Sequence, residues 1–260
     1  MQKEIFDQQD GNGIIADVML PCEAFDFEVK GAAVYVLVGC EESQAVTIEL
    51  RKLGIQAFSC DLLPCSGGHP EWHIHGDIFE AIASREWDML IGFPTCTYLT
   101  NAGIGYFNEE KWGAKAVERK KLRLAAAEFF MALYNCKIPR VALENPVGWM
   151  NSSFRKPDQI LRPYYFGEPQ QKNICLWLKN VPLIKHEKNI PKPQPLTIQY
   201  RKPSKYYKGG EEKKRYFTDH LLRDSVSRSK TFKGIAEAMG TQWGSWLLAV
   251  APLTSKSNGA

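Results

Sequence analysis

The stretch Ala33-Val34-Tyr35-Val36-Leu37-Val38-Gly39 interrupts a chain that shows little periodicity up to that point. Its apolar run from Val34 to Val38 lacks the alternation of a half-exposed strand and suits a strand buried on both faces. Ser43 stands where a helix N-cap belongs; Val46, Leu50 and Leu53 then share one helical face, and Gly54 stops the helix. Ile55 to Cys60 reads as a second strand ending at Asp61. A strand, a helix and a strand in this order form a βαβ unit, whose strands run parallel.

The same alternation continues outward. Trp87 to Gly92 is a further strand, and a long helix is expected over about residues 114–136, with Ala125, Ala126, Phe129, Phe130 and Leu133 on its buried side. Arg140 to Leu143 is the strand after it, and Asn173 to Leu178 a later one. The pattern predicts an α/β, Rossmann-like fold with a mostly parallel, doubly wound sheet. Residues 1–30, which include the turn signal DGNG, read as an N-terminal extension. The catalytic domain is expected over 31–180 plus 228–252, with a small inserted lobe at 181–227. Pro191, Pro193, Pro195 and Pro203 make 185–215 an extended segment largely outside the core.

With 44% hydrophobic and 24% charged residues, the 260-residue chain has the composition of a globular protein. No stretch approaches the roughly 18 consecutive apolar residues of a membrane span. Asp7, Asp10 and Asp17 interrupt what would have to be a signal peptide, so a soluble, cytoplasmic protein with no membrane partner is expected. The seven cysteines contain no CxxC pair, which favours reduced thiols over disulfides. The net charge of +4 identifies no partner by itself, but residues 201–230 are locally basic and aromatic. Lys205, Lys208, Lys213, Lys214 and Arg215 in that stretch suit a phosphate backbone, or alternatively a solvated loop.

In sheets of this kind, ligands bind beyond the carboxyl ends of the strands. Glu41, Glu42, Asp61, Asp77, Cys96, Glu144 and Asn145 all fall at or just past such an end. The sharpest signal is Gly92-Phe93-Pro94-Thr95-Cys96, which puts a cysteine on a constrained turn at the ligand face, where a thiolate nucleophile belongs. A small buried cysteine is the alternative. About fifty residues on, Glu144-Asn145-Pro146 ends the next core strand, with a carboxylate able to act as acid or hydrogen-bond donor.

In this order the residues resemble the DNA cytosine-C5 methyltransferase family, and most of all its compact phage and prophage members. The similarity spans about 34–250. It rests on Pro94-Thr-Cys96, on Glu144-Asn145-Pro146, on Gly167-Glu-Pro-Gln-Gln171-Lys172, and on the final helix motif from Arg228 to Gly240. It implies a class I fold and S-adenosylmethionine (SAM) as methyl donor. Cys96 would add to cytosine C6, Glu144 would bond N3 and the exocyclic amine, and a duplex would have to release the base. Asn145 would hold the loop that carries Pro94 and Cys96. Lys172 stands near the place of a family arginine at the cytosine ring, with Gln171 beside it.

For the cofactor, the resemblance and strand order together point to Gly39, Glu41, Glu42, Asp61, Asp77 and Pro94. Asp61 would take the ribose hydroxyls and Asp77 the adenine amine. The first motif departs from the family: Gly39-Cys40-Glu41-Glu42-Ser43-Gln44 keeps only one of the glycines expected there. A carboxylate of Glu41 or Glu42 would then face the sulfonium or amino group. Cys60, Cys65, His69, His73 and His75 have metal-ligand chemistry without metal-ligand spacing, so no metal is expected. Trp243 and Trp246 read as core.

The function implied is SAM-dependent C5 methylation of cytosine in double- or single-stranded DNA. The lobe is short for a sequence-reading domain, so low specificity or a pre-exposed base is expected. Three alternatives remain: a pyrimidine-modifying enzyme acting on RNA or a nucleotide, transfer of another group, and a non-catalytic nucleic-acid-binding relative.

Overall fold

The computed structural model describes residues 33–187, 190–194 and 230–250, and the backbone alone at 196–199 and 212–215. The expected extension at 1–30, and Lys205 and Lys208, lie outside the described residues.

A seven-stranded sheet has the order β3-β2-β1-β4-β5-β7-β6. Its strands are β1 (Tyr35–Gly39), β2 (Gln56–Asp61), β3 (His73–His75), β4 (Met89–Gly92), β5 (Val141–Pro146), β6 (Gln159–Leu161) and β7 (Ile174–Lys179). The strands β1 to β5 pair in parallel, and β7 runs antiparallel between β5 and β6. The helices are α1 (Ala45–Lys52), α2 (Ile78–Ala83), α3 (Glu109–Trp112), α4 (Ala114–Tyr134), α5 (Met150–Ser153), α6 (Lys233–Ala238) and α7 (Gly244–Val250). This is the α/β architecture with a mostly parallel, doubly wound sheet expected from the sequence. A separate antiparallel pair, β8 (Leu196–Gln199) and β9 (Glu212–Arg215), places Lys213, Lys214 and Arg215 on one strand.

The sheet is buried on both faces, which is why β1 shows no polar alternation. Val36 and Val38 join α1, α6 and α7 through Val46, Leu50, Ile235, Met239, Trp243 and Leu247. Leu37, between them, joins α2 and α4 through Ile78, Ile82, Phe130 and Leu133. Each such large side chain, once buried, contributes about 1.5–3 kcal/mol. Between α6 and α7, Met239–Trp243 forms a π-helical turn. There a Cβ on Gly240 would lie 2.3 Å from Glu49 Cβ, so glycine lets this helix lie tightly on α1. Trp243 is buried, as expected, and its Nε1 donates to the Pro182 carbonyl (2.9 Å). Ile184 is buried in the same core and Val181 packs against it, although both were assigned to the lobe on sequence.

Several local expectations need correction. Ser43 does not cap α1; residue 44 is the N-cap position, and the capping oxygens come from Glu41. On α4 the buried pair is Ala126 and Ala127 while Ala125 is exposed, a one-residue phase error against the 3.6-residue period. The strand β5 runs on to Pro146, because β7 pairs with it along its whole length, so Glu144 and Asn145 lie within a strand. Among the described residues no helix is long and apolar enough to cross a membrane.

Candidate active site

Strand order reverses between β1 and β4, the place where such a sheet opens a crevice at its carboxyl edge. Gly39 and Gly92 are paired residues at that edge, and Phe93 N donates to the Gly39 carbonyl (3.0 Å). Both positions are glycine because neighbouring side chains occupy the space: a Cβ would lie 2.7 Å from Ile78 Cδ1 at Gly39 and 2.7 Å from Leu143 Cδ2 at Gly92. Two loops therefore leave the sheet side by side.

The first loop, 39–44, is held by its own side chains. Both oxygens of the buried Glu41 carboxylate are engaged: Val46 N donates to Oε1 (2.7 Å), and Thr47 N and Oγ1 donate to Oε2 (3.3 and 2.7 Å). Burial nevertheless raises its pKa from the ordinary 4.5 to about 7, against the lowering effect of those bonds. Of the two acids expected at the cofactor, Glu41 commits both oxygens to α1, although it and Glu42 both line the cavity between the loops. Gln44 is fully buried; its Nε2 donates to the His69 carbonyl (2.8 Å) and its Oε1 accepts from His69 N (3.1 Å). Cys40 and Gln44 both adopt φ 57, the left-handed region where glycine would be unstrained. That conformation costs other residues about 1–2 kcal/mol each.

The second loop, 93–100, is held by the backbone of its neighbour. Asn145 is fully buried and its Nδ2 donates to the Pro94 carbonyl (2.8 Å). Leu99 N and Thr100 N donate to the Cys96 carbonyl (3.0 and 2.9 Å), closing the turn that carries the cysteine. Thr100 and Gly148 form an antiparallel bridge, Trp149 N donates to the Leu99 carbonyl (2.7 Å), and Asn101 N to the Val147 carbonyl (3.3 Å). A Cβ on Gly148 would sit 1.9 Å from the Leu99 oxygen, so only glycine fits there.

A cavity of about 300 Å³ lies between the loops. Cys96, Glu144, Lys172, Glu42 and Asp61 line it, together with Pro94. Burial raises the pKa of Glu144, and the Lys172 charge opposes the shift. A second cavity of about 290 Å³ shares Cys40, Asp61, Phe93 and Thr95 with the first and adds Asp77, Ile78 and Phe129. One oxygen of each acid is used locally: Asp61 Oδ1 accepts from Leu63 N (2.9 Å), and Asp77 Oδ1 caps α2 through Phe79 N (2.7 Å). Cys40 lines both cavities, but burial, and then the Asp61 charge, pushes its thiol up to about 12, which keeps it protonated and unreactive.

Lys230 and Thr231 also line the first cavity and were not singled out in the sequence, although they fall inside the final helix motif. Gln171 does not line it; its Nε2 is buried without an acceptor among the described residues. The histidines near Cys60 have structural roles. His73 uses both ring nitrogens, on Ser59 Oγ (2.8 Å) and the Leu63 carbonyl (2.9 Å), and His75 bonds the Leu62 carbonyl (3.0 Å). Among the described residues no group of three or more His, Cys, Asp or Glu is placed to hold a metal ion.

No protein-family model matches the chain, and no curated protein matches it. Among the solved structures that resemble it, two each have a TM-score of 0.37. One is a mutant of DNMT2 from Spodoptera frugiperda, 12% identical, with the match covering 63% of this chain and 58% of that one. This chain therefore spans less than two thirds of the insect protein's length. The other is the Dnmt2 methyltransferase of S. pombe, 13% identical, covering 84% of this chain and 96% of that one. A TM-score of 0.37 is too low for either likeness to bear on function.

Proposed function

We propose that this chain is a SAM-dependent cytosine-C5 methyltransferase acting on nucleic acid through a covalent bond from Cys96. The observation that carries the reading is the shared cavity: Cys96, Glu144 and Lys172 line the same space as Glu42 and Asp61. The adjoining cavity suits an adenosine, with Ile78, Phe93 and Phe129 as apolar walls for a purine and Asp61 and Asp77 as acids for its hydroxyls and amine.

C5 of cytosine is too weak a nucleophile to take a methyl group unaided. The Cys96 sulfur adds to C6 and shifts the C5–C6 electron pair toward C5. Glu144, its pKa raised by burial, supplies a proton to N3 and accepts from the exocyclic amine, which stabilises the enamine as it forms. Lys172 offers its ammonium at the same cavity, where the C2 carbonyl oxygen gathers charge. SAM, when bound, supplies an electrophilic methyl on its sulfonium. Once C5 is methylated, the C5 proton is lost to solvent water, the Cys96 thiolate leaves C6 to restore the C5–C6 double bond, and the N3 proton returns to Glu144. Asn145 keeps Cys96 in place through Pro94.

DNA, double- or single-stranded, is the substrate in this reading, and the setting is the cytoplasm of a bacterial or phage-infected cell. The lobe, with Lys205, Lys208, Lys213, Lys214 and Arg215, meets phosphates. The test is to incubate the protein with SAM and cytosine-containing DNA or RNA, digest to nucleosides and weigh the modified base. 5-Methylcytosine from DNA is expected. Cytosine carrying another added mass, or no SAM binding at millimolar concentration, overturns the reading; product from RNA alone keeps the chemistry and replaces the substrate. Asp61→Ala or Asp77→Ala should weaken SAM binding by about 1–3 kcal/mol.

A further inference from the structure

The segment after Cys96 carries side chains that methyl transfer does not use. Residues 97–113 form the 3-10 turn Asn101–Phe107 and the short α3, and they fold back against the first half of α4. Two arginines one helical turn apart fasten the segment: Arg119 Nη2 donates to the Thr97 carbonyl (3.2 Å) and Arg123 Nε to the Tyr98 carbonyl (3.1 Å). The Arg119 guanidinium also lies 5.0 Å from the Tyr98 ring and 5.4 Å from that of Tyr106. Beside it opens a cleft of about 340 Å³, walled by Tyr98, Tyr106, Trp112, Lys115, Arg119 and Leu122.

Tyr106 in the wall of this cleft is 53% exposed, and Ile104, two residues before it, is 61% exposed, so large apolar side chains meet water here. The Tyr106 and Trp112 rings are 5.2 Å apart and tilted by 44°, a wedge and not a closed stack. Cations surround them: Lys111 Nζ lies 5.4 Å from the Trp112 ring, and Lys115 and Arg119 line the cleft, against the single acid Glu118. Arg119 Nε is buried with no acceptor among the described residues.

We infer that this cleft binds an unpaired base of the substrate strand, a few nucleotides from the target cytosine; the inference rests on the proposed reaction. Tyr106 and Trp112 stack the base, and Lys111 and Lys115 meet the flanking phosphates. Three observations carry it. Every base has a π face, so an aromatic wedge rimmed by cations suits single-stranded nucleic acid of any sequence. The volume suits one base. Thr97 lines the Cys96 cavity and the next residue, Tyr98, lines this cleft, so the two openings adjoin along one loop. In a duplex the neighbouring base stays paired and its face is covered, so the strand is single where it meets the enzyme.

The experiment is binding of the full chain to a fluorescein-labelled, cytosine-containing single strand and to its duplex, with methyl transfer measured on the same samples. Tyr106→Ala should weaken single-strand binding about tenfold, while Tyr106→Phe, which keeps the ring, stays within about twofold. The duplex should bind wild type more weakly than the single strand does and respond less to Tyr106→Ala. Removing the charges in Lys111→Gln/Lys115→Gln should flatten the salt dependence of binding, and this decides the matter if Tyr106→Ala fails to fold. Unchanged single-strand affinity in Tyr106→Ala, or equal loss for duplex and single strand, overturns the cleft even where methyl transfer proceeds. Loss of affinity in Tyr106→Ala with no methyl transfer by wild type keeps the cleft and sinks the reaction.

Discussion

The loops leaving β1 and β4 start from paired glycines, yet they are stabilised in opposite ways. The 39–44 loop is built from the inside: Glu41 and Gln44 bury polar side chains that cap a helix and clamp the loop at His69, and two non-glycine residues sit in left-handed conformations. The 93–100 loop is built from the outside: Asn145, the bridge to Gly148 and the Trp149 amide grip its backbone. In the first loop Glu41 and Gln44 are committed to holding the loop itself, which leaves Glu42 and Ser43 at the cavity. A loop held by its neighbour's groups can place a reactive side chain at the cavity, and Cys96 is the residue placed there.

The largest test of this contrast is Gly148→Ala. Its new Cβ would meet the Leu99 carbonyl oxygen at 1.9 Å, a backbone clash with no flexible side chain to give way. A loss of about 4 kcal/mol in denaturant unfolding is expected, with methyl transfer abolished. A near-wild-type variant would mean that the outer grip is not needed.

Next comes the pH dependence of the inner loop. Glu41 is an acid whose folded-state pKa, about 7, lies above its ordinary 4.5. Between those values the folded state holds the proton that the unfolded state has released. Stability from this group is therefore greatest below about pH 4.5 and falls as pH rises toward 7, by about 3 kcal/mol in all. Urea unfolding of wild type and Glu41→Gln at pH 5 and pH 8 should show the steeper decline in wild type. A wild type that gains stability relative to the variant over this range would contradict it.

Asn145→Ala leaves the Pro94 carbonyl without its donor and should cost about 2 kcal/mol. Because the grip is on the nucleophile loop, covalent trapping should slow much more than SAM affinity falls, and equal losses would count against that division. The smallest effect is expected at Cys40. Cys40→Gly relieves the left-handed strain and should stay within about 1 kcal/mol of wild type. Cys40→Val puts a β-branched residue at φ 57 and should lose about 2 kcal/mol by thermal melting.

Much of the sheet was legible because a strand buried on both faces needs an unbroken apolar run, and Val34–Val38 is one. The position of Cys96 followed from a proline-containing turn after such a strand. Other features depend on contacts that no local pattern announces. Ser43 looks like a cap, but Glu41 reaches α1 first from within the loop. Nothing about Cys40 or Gln44 signals a left-handed backbone, since neither residue type favours it. The apolar run of β5 stops at Leu143, and pairing with β7 is what carries the strand on through the polar Glu144 and Asn145. Arg119 and Arg123 gain partners only when the chain folds back and offers them the carbonyls of Thr97 and Tyr98, which no local pattern announces.

The central claim is that Cys96 forms a covalent bond to cytosine C6, and an oligonucleotide carrying 5-fluorocytosine tests it most directly, because fluorine at C5 cannot leave as a proton does. With SAM present, wild type should give a denaturation-resistant adduct that peptide mapping places on Cys96, and folded Cys96→Ala should give none across single- and double-stranded substrates. An adduct on Cys40 or Cys65, or full methylation by Cys96→Ala, would contradict the claim.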